Sequence, residues 1–248
     1  MLMCESVGYG GSTDRASNGQ DPYRAYVTWL VQPQASDLVP IDDGPAKRAV
    51  YTNGALEFGA SPWPGYKSLV MPGNVAYAVY SDPSADFIYD GSNYCMEWVG
   101  FVGDLTGGLA TFSKYQDSTS DYSYLDVINA DGSHRAFNYG IAFAEGTKSS
   151  DSPAGTIAAN NLYACAVVKD ATSFRTYVNG ALVASTTDTP TRMGGTAAVP
   201  PIFGALNSSA LQAPFRGRVA AMRMTRHNRG YTGATIPNAL TTGPFPVL

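Results

Sequence analysis

The sequence is short of charge, and shorter still of the residues that carry most hydrolytic and metal chemistry. Only 15% of its 248 residues are charged, where a typical globular chain has about a quarter. It holds two histidines, His134 and His227, and four glutamates, Glu5, Glu57, Glu97 and Glu145. No Gly-x-Ser-x-Gly elbow, no His-Glu-x-x-His and no Cys/His cluster at zinc spacing occurs, which removes the short signatures of serine-hydrolase and zinc chemistry. A Ser/His/Asp triad does not depend on chain order. Both histidines, however, lie beside turns, and both are expected to be solvated loop residues. Glycoside hydrolysis needs two carboxylates about 5–10 Å apart. None of the four glutamates has another carboxylate two to five residues away on a strand, and Glu97 stands alone in YCMEWVGFV. The expectation is a protein that is not an enzyme and has no catalytic residues.

Helical patterning is also missing. No long stretch shows a 3.6-residue apolar period with capping residues at both ends, and without a helix there is no Gly-rich phosphate loop. No apolar run approaches membrane-spanning length. The start, MLMCESVGYGG, has neither the basic nor the apolar region of a signal peptide, so maturation in a reducing cytoplasm is expected. Three cysteines, Cys4, Cys95 and Cys165, are too few and odd in number for a disulfide framework. Cys95 and Cys165 read as free buried thiols, with a bridge between them left open.

What is present is strand and turn chemistry. Tyr, Gly and Pro number 16, 26 and 16, a mix that favours strands and tight turns. The clearest unit is SFRTYVNGALVASTT, Ser173–Thr187. Asn179-Gly180 between two apolar runs signals a two-residue hairpin, since both residues tolerate positive φ. The turn sets Val178 opposite Ala181, Tyr177 opposite Leu182 and Thr176 opposite Val183. Both faces of the pair are partly apolar, which places it inside a layered sheet structure. Tyr94–Val102 and Asn161–Lys169 are nearly continuous apolar runs, as strands covered on both sides should be. Glu97 interrupts the first, and on an apolar face it requires a partner or water. A second hairpin is expected around Asp131-Gly132. In Phe215–Thr225, Val219 falls in phase with Met222 and Met224 only if Ala220 or Ala221 is an extra residue, so a β-bulge is expected. Tyr23–Gln32 reads as the first strand. The tail NALTTGPFPVL reads as extended and suited to covering a sheet edge. About twelve short strands with turn signals between them imply an all-β, two-sheet antiparallel jelly-roll sandwich. The expected organisation is a flexible N-terminal arm, residues 1–21, followed by one domain, residues 22–248.

Charge is unevenly placed. The last stretch, residues 189–248, has no Asp or Glu and six arginines, so it carries +6 and leaves −10 for the rest of a chain of net −4. Arg216, Arg218, Arg223, Arg226 and Arg229 are therefore candidates for docking a partner, or they alternate along a solvated strand. Asp82, Asp86 and Asp90 supply three acids in one loop-rich region, weak candidates for Ca²⁺ or simple turn caps. No other metal or cofactor is expected. Trp63, Tyr66 and Tyr89, with Tyr94 and Tyr122, lie in or beside loops and are candidates for stacking on a sugar.

Three segments together resemble a known family. LYACAVVKDATSFRTYVNGALVAS, with Tyr177-Val178-Asn179-Gly180 at its turn, is similar to the strand–hairpin unit of laminin-G-like, concanavalin A-like lectin domains. YCMEWVGFV is similar to the family's Glu–aromatic strand. IFGALNSSALQAPFRGRVAAMRMTRHNRGYT resembles its closing segment, and the steps Arg223-Met224-Thr225 and Arg229-Gly230-Tyr231 look like versions in tailed-bacteriophage structural proteins. The resemblance covers about Tyr23 to the C-terminus. It implies a virion structural protein: a capsid decoration, head-fibre or tail-associated subunit, made in the host cytoplasm and docked on other virion proteins as a homo-oligomer. The alternative is a carbohydrate-binding module or adhesin that contacts cell-surface glycans. This fold hosts lectins, glycanases, adhesins and virion proteins alike.

Overall fold

The computed structural model describes residues 21–53, 57–73, 78–87, 93–114, 125–138, 148–187, 200–206 and 213–246. The arm residues 1–20, Tyr89, Asp90, Tyr122, Cys4 and Arg192 lie outside them.

The described chain runs through β1 (Val27–Val31), β2 (Val50–Asn53), β3 (Phe58–Ala60), β4 (Lys67–Met71), β5 (Ala78–Ser81), β6 (Tyr94–Val102), β7 (Leu109–Ser113), β8 (Leu125–Ile128), β9 (His134–Asn138), β10 (Lys148–Asp151), β11 (Asn161–Lys169), β12 (Phe174–Val178), β13 (Ala181–Thr186), β14 (Ile202–Phe203) and β15 (Gly217–Thr225). Two 3₁₀ turns, Arg24–Tyr26 and Ala85–Phe87, and one α-helical turn, α1 (Ala239–Thr242), complete it. The strands form two antiparallel sheets. The larger has the order β13-β12-β11-β6-β15-β4-β3, with β1 also paired to β15, and the smaller has the order β10-β9-β8-β7-β14-β5-β2. This is the expected jelly-roll sandwich.

Its core follows from alternation. From β6, Tyr94, Met96, Trp98 and Val102 point between the sheets, and they meet Leu109, Phe112, Ile128 and Phe203 of the smaller sheet. The rings of Trp98, Phe112, Phe203 and Phe215 contact one another in edge or tilted geometry at 5.1–6.4 Å, the arrangement that aromatic quadrupoles favour. Cys165 faces this core. Cys95 sits on the opposite face of the larger sheet with Ala166, Val168 and Tyr177. The two thiols are therefore free and buried, and the bridge left open by the sequence does not form.

The bulge in β15 is present. Val219 pairs with Gly100 and Ala221 with Val99, which leaves Ala220 as the extra residue. The first half of β15 then pairs with β4 and the second half with β1. A side chain at Gly100 would place its Cβ 2.5 Å from the Arg218 carbonyl oxygen, so the strand needs glycine where the bulge brings the backbones together.

The Asn179-Gly180 turn forms with φ of 50° and 83°. Val178 pairs with Ala181 and Tyr177 with Leu182, but Thr176 pairs with Ala184. A second irregularity, between Thr176 and Tyr177, displaces Val183 from the expected pairing. Turn chemistry specified only the first two pairs.

The tail departs from expectation. Residues just before it cover the sheet edge: the Leu182 amide donates to the Ala234 carbonyl and the Ile236 amide to the Gly180 carbonyl. The tail itself crosses the outer face of the larger sheet. Ala239 and Phe245 pack on Val99, Ala164, Ala220 and Ala221, and Asn238 caps α1 by accepting from the Leu240 amide at 3.1 Å. Small residues on the sheet face let the chain lie this close.

Candidate functional site

Glu97 finds its partner by register. It stands opposite Arg223 across the β6–β15 pairing. The Arg223 guanidinium donates to the Glu97 carboxylate at 2.7 Å and to Asp21 at 3.2 Å. Arg229 donates to Asp21 at 2.9 Å and lies 3.4 Å from Glu97. The Tyr231 hydroxyl donates to Glu97 at 3.2 Å. Two cations and two anions thus neutralise one another on the outer face of the larger sheet, all four side chains nearly closed to solvent. Phe245 covers Arg223 and Tyr23 covers Arg229, the guanidinium carbons 4.0 and 5.1 Å from the ring centres.

Burial opposes ionisation of Asp21, but the hydrogen bond and charge of Arg229, the Tyr23 amide and Arg223 outweigh it and hold the carboxyl below its ordinary range. Burial and the adjacent Glu97 charge push the Tyr231 phenol up. Burial would lower Arg229, but Glu97 and Asp21 more than compensate. Both acids are thereby committed to arginine, closed from solvent, and offer no acid–nucleophile pair to a substrate.

This placement corrects the arginine group. Arg223 and Arg229 belong to the interior and present no docking surface. Arg226 is exposed at one end of β15. Arg216 and Arg218 are half-buried at the other, some eight to ten residues or roughly 25–33 Å along the strand. Arg218 covers the Phe101 ring, and Arg216 donates to the Thr106 carbonyl.

The aromatic candidates also move. Trp63 is 6% exposed, and its indole N–H donates to the Ala239 carbonyl at 3.1 Å under the tail. Tyr66 is half-buried and meets Trp63 edge-on. Tyr94 is fully buried. Among the described residues, an open aromatic surface lies elsewhere, at the corner where β1 begins and β15 ends. The His227 ring lies 4.6 Å from that of Tyr23 and 5.2 Å from that of Tyr26, and Tyr26 is 50% exposed. Tyr23 and Tyr26 read as strand residues in the sequence, yet the strand begins only at Val27. Asp21-Pro22 was the available signal: Asp21 accepts from the Tyr23 amide at 2.9 Å and starts a turn.

Beside this shelf, Arg226 lies 3.7 Å from Asp86, and Arg48 also donates to Asp86. Of the three calcium candidates, Asp86 is thus engaged by two arginines, Asp82 is exposed and Asp90 lies outside the described residues. Among the described residues no three His, Cys, Asp or Glu side chains converge on a point.

His134 is not a solvated loop residue. It is fully buried, with Nε2 2.6 Å from the Asp126 carboxylate, and Thr111 donates to the same aspartate. Trp98 packs on its ring. The group ties β7, β8 and β9 together inside the sandwich, out of reach of a substrate.

The model of the concanavalin A-like lectin/glucanases superfamily matches residues 98–230, more than half of the chain. The chain belongs to the concanavalin A-like lectin/glucanases superfamily. The match takes in the Asn179-Gly180 hairpin and β15 with its bulge. No curated protein matches by sequence. Among solved structures, the binding domain of Paraclostridial Mosquitocidal Protein 1 is similar at a TM-score of 0.63 and 12% identity, covering 83% of this chain and 50% of that one. A botulinum neurotoxin type C structure, whose cell entry is described as dependent on two ganglioside molecules, is similar at 0.60 and 10%, covering 83% and 49%. The botulinum neurotoxin DC binding domain in complex with rat synaptotagmin II is similar at 0.60 and 10%, again covering 83% and 49%. This superfamily member spans about half the length of those chains, so the likeness carries the fold and not the position of any ligand site. Nothing in the comparisons singles out virion proteins. Among the described residues, no helix is long and apolar enough to cross a membrane.

Proposed function

We propose that this chain is a non-enzymatic binding module that contacts carbohydrate through the shelf formed by Tyr23, Tyr26 and His227. The observation that carries the reading is the half-exposed Tyr26 ring held against His227. A sugar stacks its C–H face on such a ring and gives its hydroxyls to polar groups at the rim. The shelf is pre-ordered. Tyr23 lies on Arg229, Arg229 is fixed by Asp21, and the Arg229 amide donates to His227 Nδ1 at 2.9 Å. Little conformational freedom is then lost on binding. Two solved toxin structures with this fold, botulinum neurotoxin type C, whose cell entry is described as dependent on two ganglioside molecules, and the botulinum neurotoxin DC binding domain in complex with SialylT, support a glycan ligand over a virion partner.

A glycan array probed with the purified protein tests the reading. Binding to one class of glycan that disappears in Tyr26→Ala, with an unchanged melting temperature, supports it. Binding that survives Tyr26→Ala moves the site elsewhere. Release of reducing ends from a bound glycan overturns the non-enzymatic assignment.

A further inference from the structure

The hydrogen bonds of His227 fix where its proton sits. The Arg229 amide can only donate, and it donates to Nδ1 at 2.9 Å, so Nδ1 holds a lone pair. A neutral imidazole then carries its proton on Nε2, because the bond made by one ring nitrogen sets the state of the other. Nε2 makes no hydrogen bond among the described residues, and the half-buried ring leaves it open to solvent. The turn that presents the ring is held by its own hydrogen bonds. Asn228 accepts from the Gly230 amide at 3.1 Å with its side chain and from the Tyr231 amide at 3.0 Å with its carbonyl. Arg229, at a positive φ of 57°, is anchored on Asp21 at 2.9 Å. The Tyr23 and Tyr26 rings contact the imidazole in tilted geometry and keep it from turning.

Resting on the carbohydrate reading, we infer that His227 is the specificity-determining donor of the shelf: its Nε2–H gives a hydrogen bond to a ligand oxygen, a sugar hydroxyl or ring oxygen, while the ring of that sugar lies on Tyr26. The neutral imidazole offers a donor at this point and no acceptor. A ligand that presents only a C–H group there gains the stacking and loses the bond. Tyr26 supplies contact that any sugar ring can use, and His227 sorts sugars by the position of an oxygen beside the stacked face.

Nuclear magnetic resonance of protein labelled with nitrogen-15 in its histidines tests the place of the proton without any ligand. His134 and His227 are the two histidines, so the signals that vanish in His227→Asn belong to His227. The free protein should show the Nε2–H tautomer, and saturation with lactose, sialyllactose or the strongest sugar on the array should shift that proton. His227→Asn keeps an acceptor for the Arg229 amide but has no donor at the ε position. It should melt as the parent does and weaken binding about two- to tenfold, the size of one neutral hydrogen bond. His227→Gln restores an N–H near that position and should recover part of the loss. An Nδ1–H tautomer, or parent affinity in His227→Asn with binding still lost in Tyr26→Ala, overturns the inference and leaves the carbohydrate reading standing. An empty glycan array, with neither named sugar bound, overturns the carbohydrate reading and the role of His227 with it.

Discussion

Arg223 and Glu97 face each other across the two central strands of the larger sheet, guanidinium to carboxylate at 2.7 Å, with almost no solvent between them and the rest of the protein. The pair joins the sheet to the chain's first described residue, because the same guanidinium reaches Asp21. Removing one partner leaves a buried charge uncompensated. Arg223→Ala is expected to cost roughly 3–5 kcal/mol, and Glu97→Ala a similar amount. The double variant should lose less than the sum of the two. Urea unfolding of the three variants measures the coupling, and strict additivity would sink the assignment.

The Asp21 carboxyl titrates below its ordinary value because arginine and backbone donors outweigh burial. Its folded pKa is therefore lower than its unfolded one. The stability it contributes is fully present above about pH 4, the unfolded aspartate value, and is lost as pH falls through the lower folded value. Asp21→Asn should be less stable than the parent at pH 7, and the gap should narrow below about pH 4. A gap that stays constant with pH would show that Asp21 acts through packing alone.

The Asn179-Gly180 turn makes different demands at its two positions. A Cβ at Gly180 would lie 2.8 Å from the Ile236 carbonyl oxygen, at a φ of 83°. Gly180→Ala should cost roughly 1–3 kcal/mol and loosen the edge cover at Ile236. Asn179→Gly retains the positive φ but loses the hydrogen bond from the Ala164 amide to the Asn179 side chain at 2.9 Å, a loss of about 1 kcal/mol. Thermal melts that reverse this order would contradict the turn geometry.

Burial pushes both the Cys95 and Cys165 thiols well up, helped by Glu97 at the first and Asp126 at the second. Neither should react with iodoacetamide in the folded protein at neutral pH. Mass mapping should find both unmodified until denaturant is added, and early labelling of either would place it in a more open setting.

Tyr26 and Trp63 separate surface from interior. Tyr26→Ala, at a half-exposed ring, should change stability by no more than about 0.5 kcal/mol. Trp63→Ala, beneath the tail, should cost about 3–5 kcal/mol and release Ala239. Melting curves of the pair show which aromatic holds the fold.

Local chemistry made much of this fold legible. Period-two alternation and unbroken apolar runs revealed the central strands β6 and β11. Asn-Gly revealed the hairpin, and a phase slip between Val219 and Met222 revealed the bulge. Each depends on residues a few positions apart, whose backbone preferences and side-chain faces are set by near neighbours. The need of Glu97 for a partner was also written in the sequence, because a carboxylate on an apolar face cannot stand alone. Which group answers it was not, since Arg223 lies 126 residues away and reaches Glu97 only through the pairing of β6 with β15. The same holds for Asp21, for Trp63 under a tail 176 residues distant, and for His134, which a turn-side position suggested was wet. Burial of these groups is a property of the two layers and the tail together. The open shelf at Tyr23, Tyr26 and His227 exists only where those layers leave a corner uncovered, a matter of which strands become neighbours and not of any one stretch of chain.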